Sequence, residues 1–204
     1  MGEVRRYCIY TINLTFTKKI YIKILYLLIV KYLDTIKGFL EEPHRKSQRD
    51  TVVEFVGSNP KKMKALMSFF LDDKWHWRYN QMAAWPVGFI GRRQPELIKP
   101  YLKDMVKLLS NPAHDAVARN TVSIFQEIEI PEEIEGELYE RCFEFLSDPK
   151  VAVAIRAFSI TVLSKIAYKY EDLRAELLAE INEHLPFGTA AFKVRARNAR
   201  KLLE

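Results

Sequence analysis

A short turn followed by an arginine recurs three times in this chain at nearly constant spacing. Leu109-Ser110-Asn111-Pro112 precedes Arg119, Leu146-Ser147-Asp148-Pro149 precedes Arg156, and Leu185-Pro186-Phe187-Gly188 precedes Arg195. The leucines stand 37 and then 39 residues apart, and the arginines keep the same register. A period of this size holds one pair of helices and a turn. Such a pair cannot bury its apolar face alone, so copies must stack into a continuous core. The period constrains the architecture strongly and the chemistry hardly at all.

The punctuation between repeats agrees. Proline is favoured at the first helical position, with Asn, Asp or Ser just before it as the cap. Asn59-Pro60, Asn111-Pro112 and Asp148-Pro149 follow that rule. Glu42-Pro43, Gln94-Pro95-Glu96 and Ile130-Pro131-Glu132-Glu133 add starts with acid in or beside the first turn, which suits the helix dipole. These signals predict helices at about 43–57, 60–71, 74–91, 95–110, 112–128, 131–146, 149–169, 171–185 and 189–203. Ile134, Leu138, Cys142 and Phe145/Leu146 line one helical face, and Leu173, Leu177, Ile181 and Leu185 line another. Helix 149–169 is apolar nearly all round and must lie between neighbours on both sides. No strand pattern survives.

With the helices placed, the segment from Pro100 through Asn111-Pro112 to Arg119 resembles a HEAT repeat, as do the two units after it. That family's pattern is a first helix with an internal proline, a short Asp-Pro turn, and a second helix carrying Val-Arg-x-x-Ala. Val194-Arg195-Ala196 and Ile155-Arg156-Ala157 approach it, and Ala118-Arg119-Asn120 does so less well. The likeness covers about residues 60–203 and is best over about 95–203. It implies an all-α fold: a right-handed α–α superhelix (HEAT-like solenoid) of about four helix pairs plus an N-terminal capping helix. It also implies structural roles for Arg119, Arg156, Arg195 and Asp148, since in the family a turn Asp and a second-helix Arg can form a polar ladder between repeats. Asn111 and Phe187 stand where two of those Asp residues would be, so the ladder is interrupted.

Residues 1–40 read as an N-terminal extension, and residues 41–204 as the helical repeat domain. Within the extension, residues 7–33 are rich in Ile, Tyr, Leu, Lys and Thr and hold no acid. A membrane span needs roughly 18–20 continuous apolar residues, and Lys18, Lys19, Lys23 and Lys31 interrupt this one. Ile20, Ile24, Leu27 and Leu28 have helical spacing, so a capping helix from about Lys18 is the expectation. A membrane anchor, or upstream sequence read from too early a start, are the competing readings. The formal net charge of +6 divides unevenly: +5 over residues 1–40, +5 over 41–110, −8 over 111–148 and +4 over 149–204. Basic, acidic and basic surfaces therefore follow one another along the stack. Two cysteines far apart give neither a disulfide framework nor a zinc site and suit a reducing compartment, with cytoplasmic localisation as the expectation.

Catalytic signatures are missing: no phosphate-cradling glycine loop, HExxH, GxSxG or EF-hand is present. His44, His76, His114 and His184 fall near helix ends and read as surface or capping residues, and Cys142 reads as core. No cofactor and no metal is expected. One segment stands out: Asp72–Arg93 holds all three tryptophans and ends in Arg92-Arg93. On a helix Trp77, Gln81 and Trp85 share one face, while Tyr79, Met82, Pro86 and Phe89 share another. If the second set is core, Trp77, Gln81, Trp85, Arg92 and Arg93 make a candidate binding site, because Trp and Arg dominate hot spots. If the Trp77 face packs on the next repeat, the segment is a filled core. Asp72 and Asp73 read as ending one helix and capping the next.

The sequence reading is a non-catalytic helical-repeat scaffold that holds a protein or peptide on its concave face. The alternative is a DNA-binding enzyme, because some DNA-alkylation-repair glycosylases are built from HEAT-like repeats with Trp, an acid and Lys/Arg on the concave surface. That reading requires Trp77, Trp85, Asp73, Arg92 and Arg93 on one basic concavity. A protein acting on or chaperoning a small cofactor rests on fold analogy alone. Oligomeric state has no signature in the sequence.

Overall fold

The computed structural model describes residue 27 and residues 29–204. The first described helix, α1, spans 29–41. It is followed by α2 (Lys46–Val56), α3 (Pro60–Leu71), α4 (Trp77–Arg93), α5 (Pro95–Ile98), α6 (Leu102–Leu108), α7 (Asp115–Glu127), α8 (Glu132–Ser147), α9 (Val153–Lys169), α10 (Arg174–His184) and α11 (Ala190–Leu203). No strand occurs among the described residues. Residues 1–26 and 28, including the start of the expected capping helix at about Lys18, lie outside the described residues.

The helices form two rows. The first helices of each pair are α1, α3, α5–α6, α8 and α10; the second helices are α2, α4, α7, α9 and α11. Each second helix packs on the next, α4 on α7, α7 on α9 and α9 on α11. Neighbouring second helices also lie closer together than neighbouring first helices, so the stack curves toward the second row. Helix α1 leans on α2: Ile36 and Leu40 are buried, and Gln48 donates to the Phe39 carbonyl at 3.2 Å. Tyr32 and Phe39 pack edge-on to Phe55. The capping helix and helix 43–57 of the sequence reading thus partner one another, and the described helices make five pairs.

Helix α9 is the centre of the core. Ile155, Ile160, Val162, Leu163 and Ile166 are buried around its circumference, against α7, α8, α10 and α11. Cys142 of α8 is fully buried, and that burial pushes its thiol up to about 12. At the α4–α7 crossing a Cβ added at Gly88 would come within 3.0 Å of the Asn120 Cβ, and one at Gly91 within 2.8 Å of the Ile124 Cδ1. The two glycines set how closely these helices approach.

Local chemistry explains where helices begin, and corrects several expected starts. Asn59 caps α3 as expected, accepting from the Lys61 and Lys62 amides at 2.9 and 3.3 Å. Lys62 reaches back to the Phe55 carbonyl at 2.7 Å, a cation at the end of α2. Asn111-Pro112 and Asp148-Pro149 do not start helices. The Asp148 carboxylate accepts from the Lys150 amide at 2.8 Å and closes a turn, so α9 begins only at Val153. Helix α7 begins at Asp115, capped by His114, whose Nδ1 accepts from the Ala116 amide at 3.0 Å. His76 caps α4 in the same way, so Asp73 does not cap it; Asp72 ends α3. The expected helix 95–110 breaks into α5, a 3₁₀ turn and α6 around Pro100, which offers no amide and crowds the preceding turn.

Candidate functional site

The three recurring leucines end the first helices α6, α8 and α10, and the three arginines fall on the second helices α7, α9 and α11. From these equivalent positions the arginines do different work. Arg156 donates through Nε and Nη2 to the Leu146 carbonyl at 3.1 and 3.0 Å, tying the turn of its own repeat. Arg195 lies 4.8 Å from the centre of the Phe158 ring and reaches Gln126 at 3.4 Å. Arg119 is exposed and forms no ion pair among the described residues. No Asp–Arg ladder joins the repeats among the described residues, where Asp148 closes its own turn.

A groove of about 340 Å³ runs across the second row. His44 lines it from the loop before α2, and Gln81, Trp85 and Arg92 line it from α4. Arg119, Asn120 and Ser123 come from α7, and Phe158 from α9. Helical spacing on α4 produces this: Met82, Pro86 and Ile90 are buried, which turns Gln81 and Trp85 toward the groove. The floor is close because Gly88 stands over Asn120. Arg92 is half-buried and donates to the Ser123 hydroxyl at 2.8 Å. Burial pushes its guanidinium below the usual range, with Arg93 and Arg49 adding to the shift and Glu127 opposing it.

The remaining expected residues, Trp77 and Arg93, do not line this groove. Trp77 is 47% exposed, and its ring stacks on His114 at 5.7 Å and 7°. His76 packs on it at 5.4 Å, so Trp77 sits between the two histidines that cap α4 and α7. Arg93 is exposed, with its guanidinium 3.6 Å from the centre of the Phe89 ring. Phe89, assigned to the core face with Met82 and Pro86, is half-buried and covered by arginine instead.

Arg49, which sequence reasoning missed, packs against Trp85 beside the groove. Its guanidinium lies 4.9 Å from the Trp85 ring centre and 4.3 Å from that of Phe89, and it pairs with Asp50. His44 meets Trp85 edge-on at 5.3 Å. Nothing in local spacing announces either contact, since both cross from one repeat to the next. Phe158 was legible only as a core position, and Arg119 only as a member of the repeat.

Asp73 is elsewhere. With Asp72, Tyr101, Asp104 and Lys107 it lines a separate cleft of about 620 Å³ between the ends of α3 and α6. The glutamates of α8 do not all lie at the surface. Glu135 is buried, paired with Lys169, and accepts from the Tyr170 hydroxyl at 2.9 Å, which fastens the end of α9 to α8. Lys165 bonds the Phe125, Gln126 and Ile128 carbonyls at 3.0, 3.2 and 2.6 Å, closing the end of α7. No described helix is long and apolar enough to cross a membrane.

A family model described as a HEAT repeat domain matches residues 36–201. The match reaches further toward the N-terminus than the repeats legible in the sequence and takes in α2 and the second half of α1. No curated protein and no solved structure matches the chain.

Proposed function

This chain belongs to the HEAT-repeat family, and from that premise we propose that it is a non-catalytic scaffold that binds a protein or peptide along its second row of helices. One observation carries the reading: Gln81, Trp85, Arg92, Arg119 and Phe158, from three successive repeats, line a single groove. Its volume lies at the lower end of the range of ligand-binding pockets. Aromatic and arginine side chains at the centre of a contact are the residue types that contribute most to binding. The stack holds them on rigid helices, so little order is lost when a partner docks. The buried free thiol of Cys142 suits a reducing compartment such as the cytoplasm.

The DNA-glycosylase reading needed an acid beside the tryptophans. Asp73 lines the cleft between α3 and α6 and not the groove that holds Trp85 and Arg92, which argues against it.

The test is selection of a displayed random-peptide library on the full chain. Selected peptides are then re-measured on Arg119→Glu and Trp77→Ala, with Lys103→Glu on α6 as the control. Peptides that lose binding to Arg119→Glu and keep it with the control support the reading. An empty selection, or binding indifferent to Arg119→Glu, defeats it.

A further inference from the structure

Several arginines along the second row rest on aromatic rings, an arrangement that bears on the ligand. Arg49 lies over Trp85 and Phe89, Arg93 over Phe89, and Arg195 over Phe158. A guanidinium resting on a ring uses its face and keeps the N–H groups of its edge available. Those edges match a carboxylate in a two-pronged hydrogen bond. Of these cations only Arg49 has an acid in ion-pair contact; Arg92, Arg93, Arg119 and Arg195 have none among the described residues. Arg92 and Arg195 instead hold the neutral side chains Ser123 and Gln126. Arg92, Arg93 and Arg195 are thus held by aromatic side chains or neutral partners on α4 and α11, and the exposed Arg119 lines the groove from α7.

We propose that this groove takes an acidic peptide segment, with carboxylates on Arg92 and Arg119, which line it, and on Arg195, which lies beside it on Phe158, and an apolar side chain against Trp85 or Phe158. The proposal rests on the scaffold reading and names the chemistry of its ligand. His44, Gln81 and Ser123 supply hydrogen-bonding groups beside the apolar surface, as an extended peptide backbone requires.

Nucleic acid fits the same surface less well. Glu127 is exposed at the end of α7, close enough for its charge to act on both Arg92 and Lys165, and Glu129 also acts on Lys165. A duplex carries a charge about every 1.7 Å of its axis, so one laid along the row would bring phosphates onto these acids. A short peptide brings one carboxylate near Glu127, at Arg92, whereas a duplex brings a row of phosphates to both acids.

The experiment measures fluorescence anisotropy on the full chain. The probes are short synthetic peptides in which Glu alternates with Leu, Phe and Gly, the same peptides with Gln or Lys in place of Glu, and a labelled DNA duplex. Each is titrated at low and at physiological salt. The Glu peptides are expected to bind, to weaken as salt rises, and to exceed the Gln peptides by about tenfold or more. Arg119→Gln should cost most of that advantage and Arg119→Lys only part of it, while Lys103→Glu leaves binding unchanged. Arg119 is exposed, so these variants leave the core intact; thermal unfolding checks this. Equal binding of the Glu and Gln peptides, or a preference for Lys, overturns the acidic-ligand proposal and leaves the scaffold reading standing. Duplex binding that depends on Arg119, with no peptide bound, overturns both. Failure of every probe overturns the proposal, while the library selection judges the scaffold reading independently.

Discussion

Helices α4 and α8 both carry glycine inside the helix, one in the second row and one in the first. In α4, Gly88 and Gly91 are buried, and a side chain at either would collide with α7. In α8, Gly136 is exposed and a Cβ there would meet nothing within 4 Å. The α4 glycines are demanded by packing, because the second helices are the closely spaced row. The α8 glycine is not, because neighbouring first helices stand further apart and present acids to solvent. Close spacing in one row and open spacing in the other give the curvature, and curvature gathers Trp85, Arg92, Arg119 and Phe158 into one groove.

The largest effect should come from Gly88→Ala. Its methyl would fall within 3.0 Å of the Asn120 Cβ, an atom anchored to the α7 backbone, so the helices must separate. Ala gains helix propensity of up to about 1 kcal/mol, and overpacking of this kind costs about 1–3 kcal/mol. A net loss of about 1–2 kcal/mol in urea unfolding is the expected result. Gly91→Ala should cost less, because its nearest obstacle is Ile124 Cδ1, the flexible end of a side chain. A neutral Gly88→Ala would mean that the second row is not held at its limit of approach, and the contrast between rows would collapse.

The architecture was legible in the sequence because period and caps are local signals. Leu109, Leu146 and Leu185 end first helices, and Asn59-Pro60 starts a second repeat, as their chemistry requires. The misplaced starts at Pro112 and Pro149 share one cause: Asp-Pro and Asn-Pro close a turn as readily as they open a helix. Sequence alone does not say which. The groove was half legible. Gln81, Trp85 and Arg92 share one helix, so their spacing put them together. His44 and Phe158 reach the same groove from other repeats, Arg49 backs its Trp85, and only the spacing of the second helices determines that they meet. The paired histidine caps around Trp77 were legible as "histidine near a helix end", but their common contact with one tryptophan was not.

That contact offers a medium-sized test of the second row. His114 accepts from the Ala116 amide and stacks on Trp77, linking the first turn of α7 to the first turn of α4. His114→Ala removes the cap at a cost of about 1 kcal/mol and frees one face of Trp77. Tryptophan emission should shift to longer wavelength as that ring gains water, with Trp77→Phe as the background that isolates the signal. His114→Asn, which can still cap, should recover the stability and not the emission. If His114→Ala leaves both unchanged, the α4 and α7 termini are not coupled through this stack.

The smallest effect has the opposite sign. Gly136→Ala adds a methyl in open space on an exposed turn of α8. It removes backbone freedom from the unfolded chain and improves helix propensity, so the fold should gain about 0.5–1 kcal/mol. Peptide binding should not change, since Gly136 lies on the first row. The value of this variant is its pairing with Gly88→Ala: one residue type, one substitution, opposite signs. If Gly136→Ala instead destabilises the fold, the first row is packed as tightly as the second, and the curvature that builds the groove must come from another source.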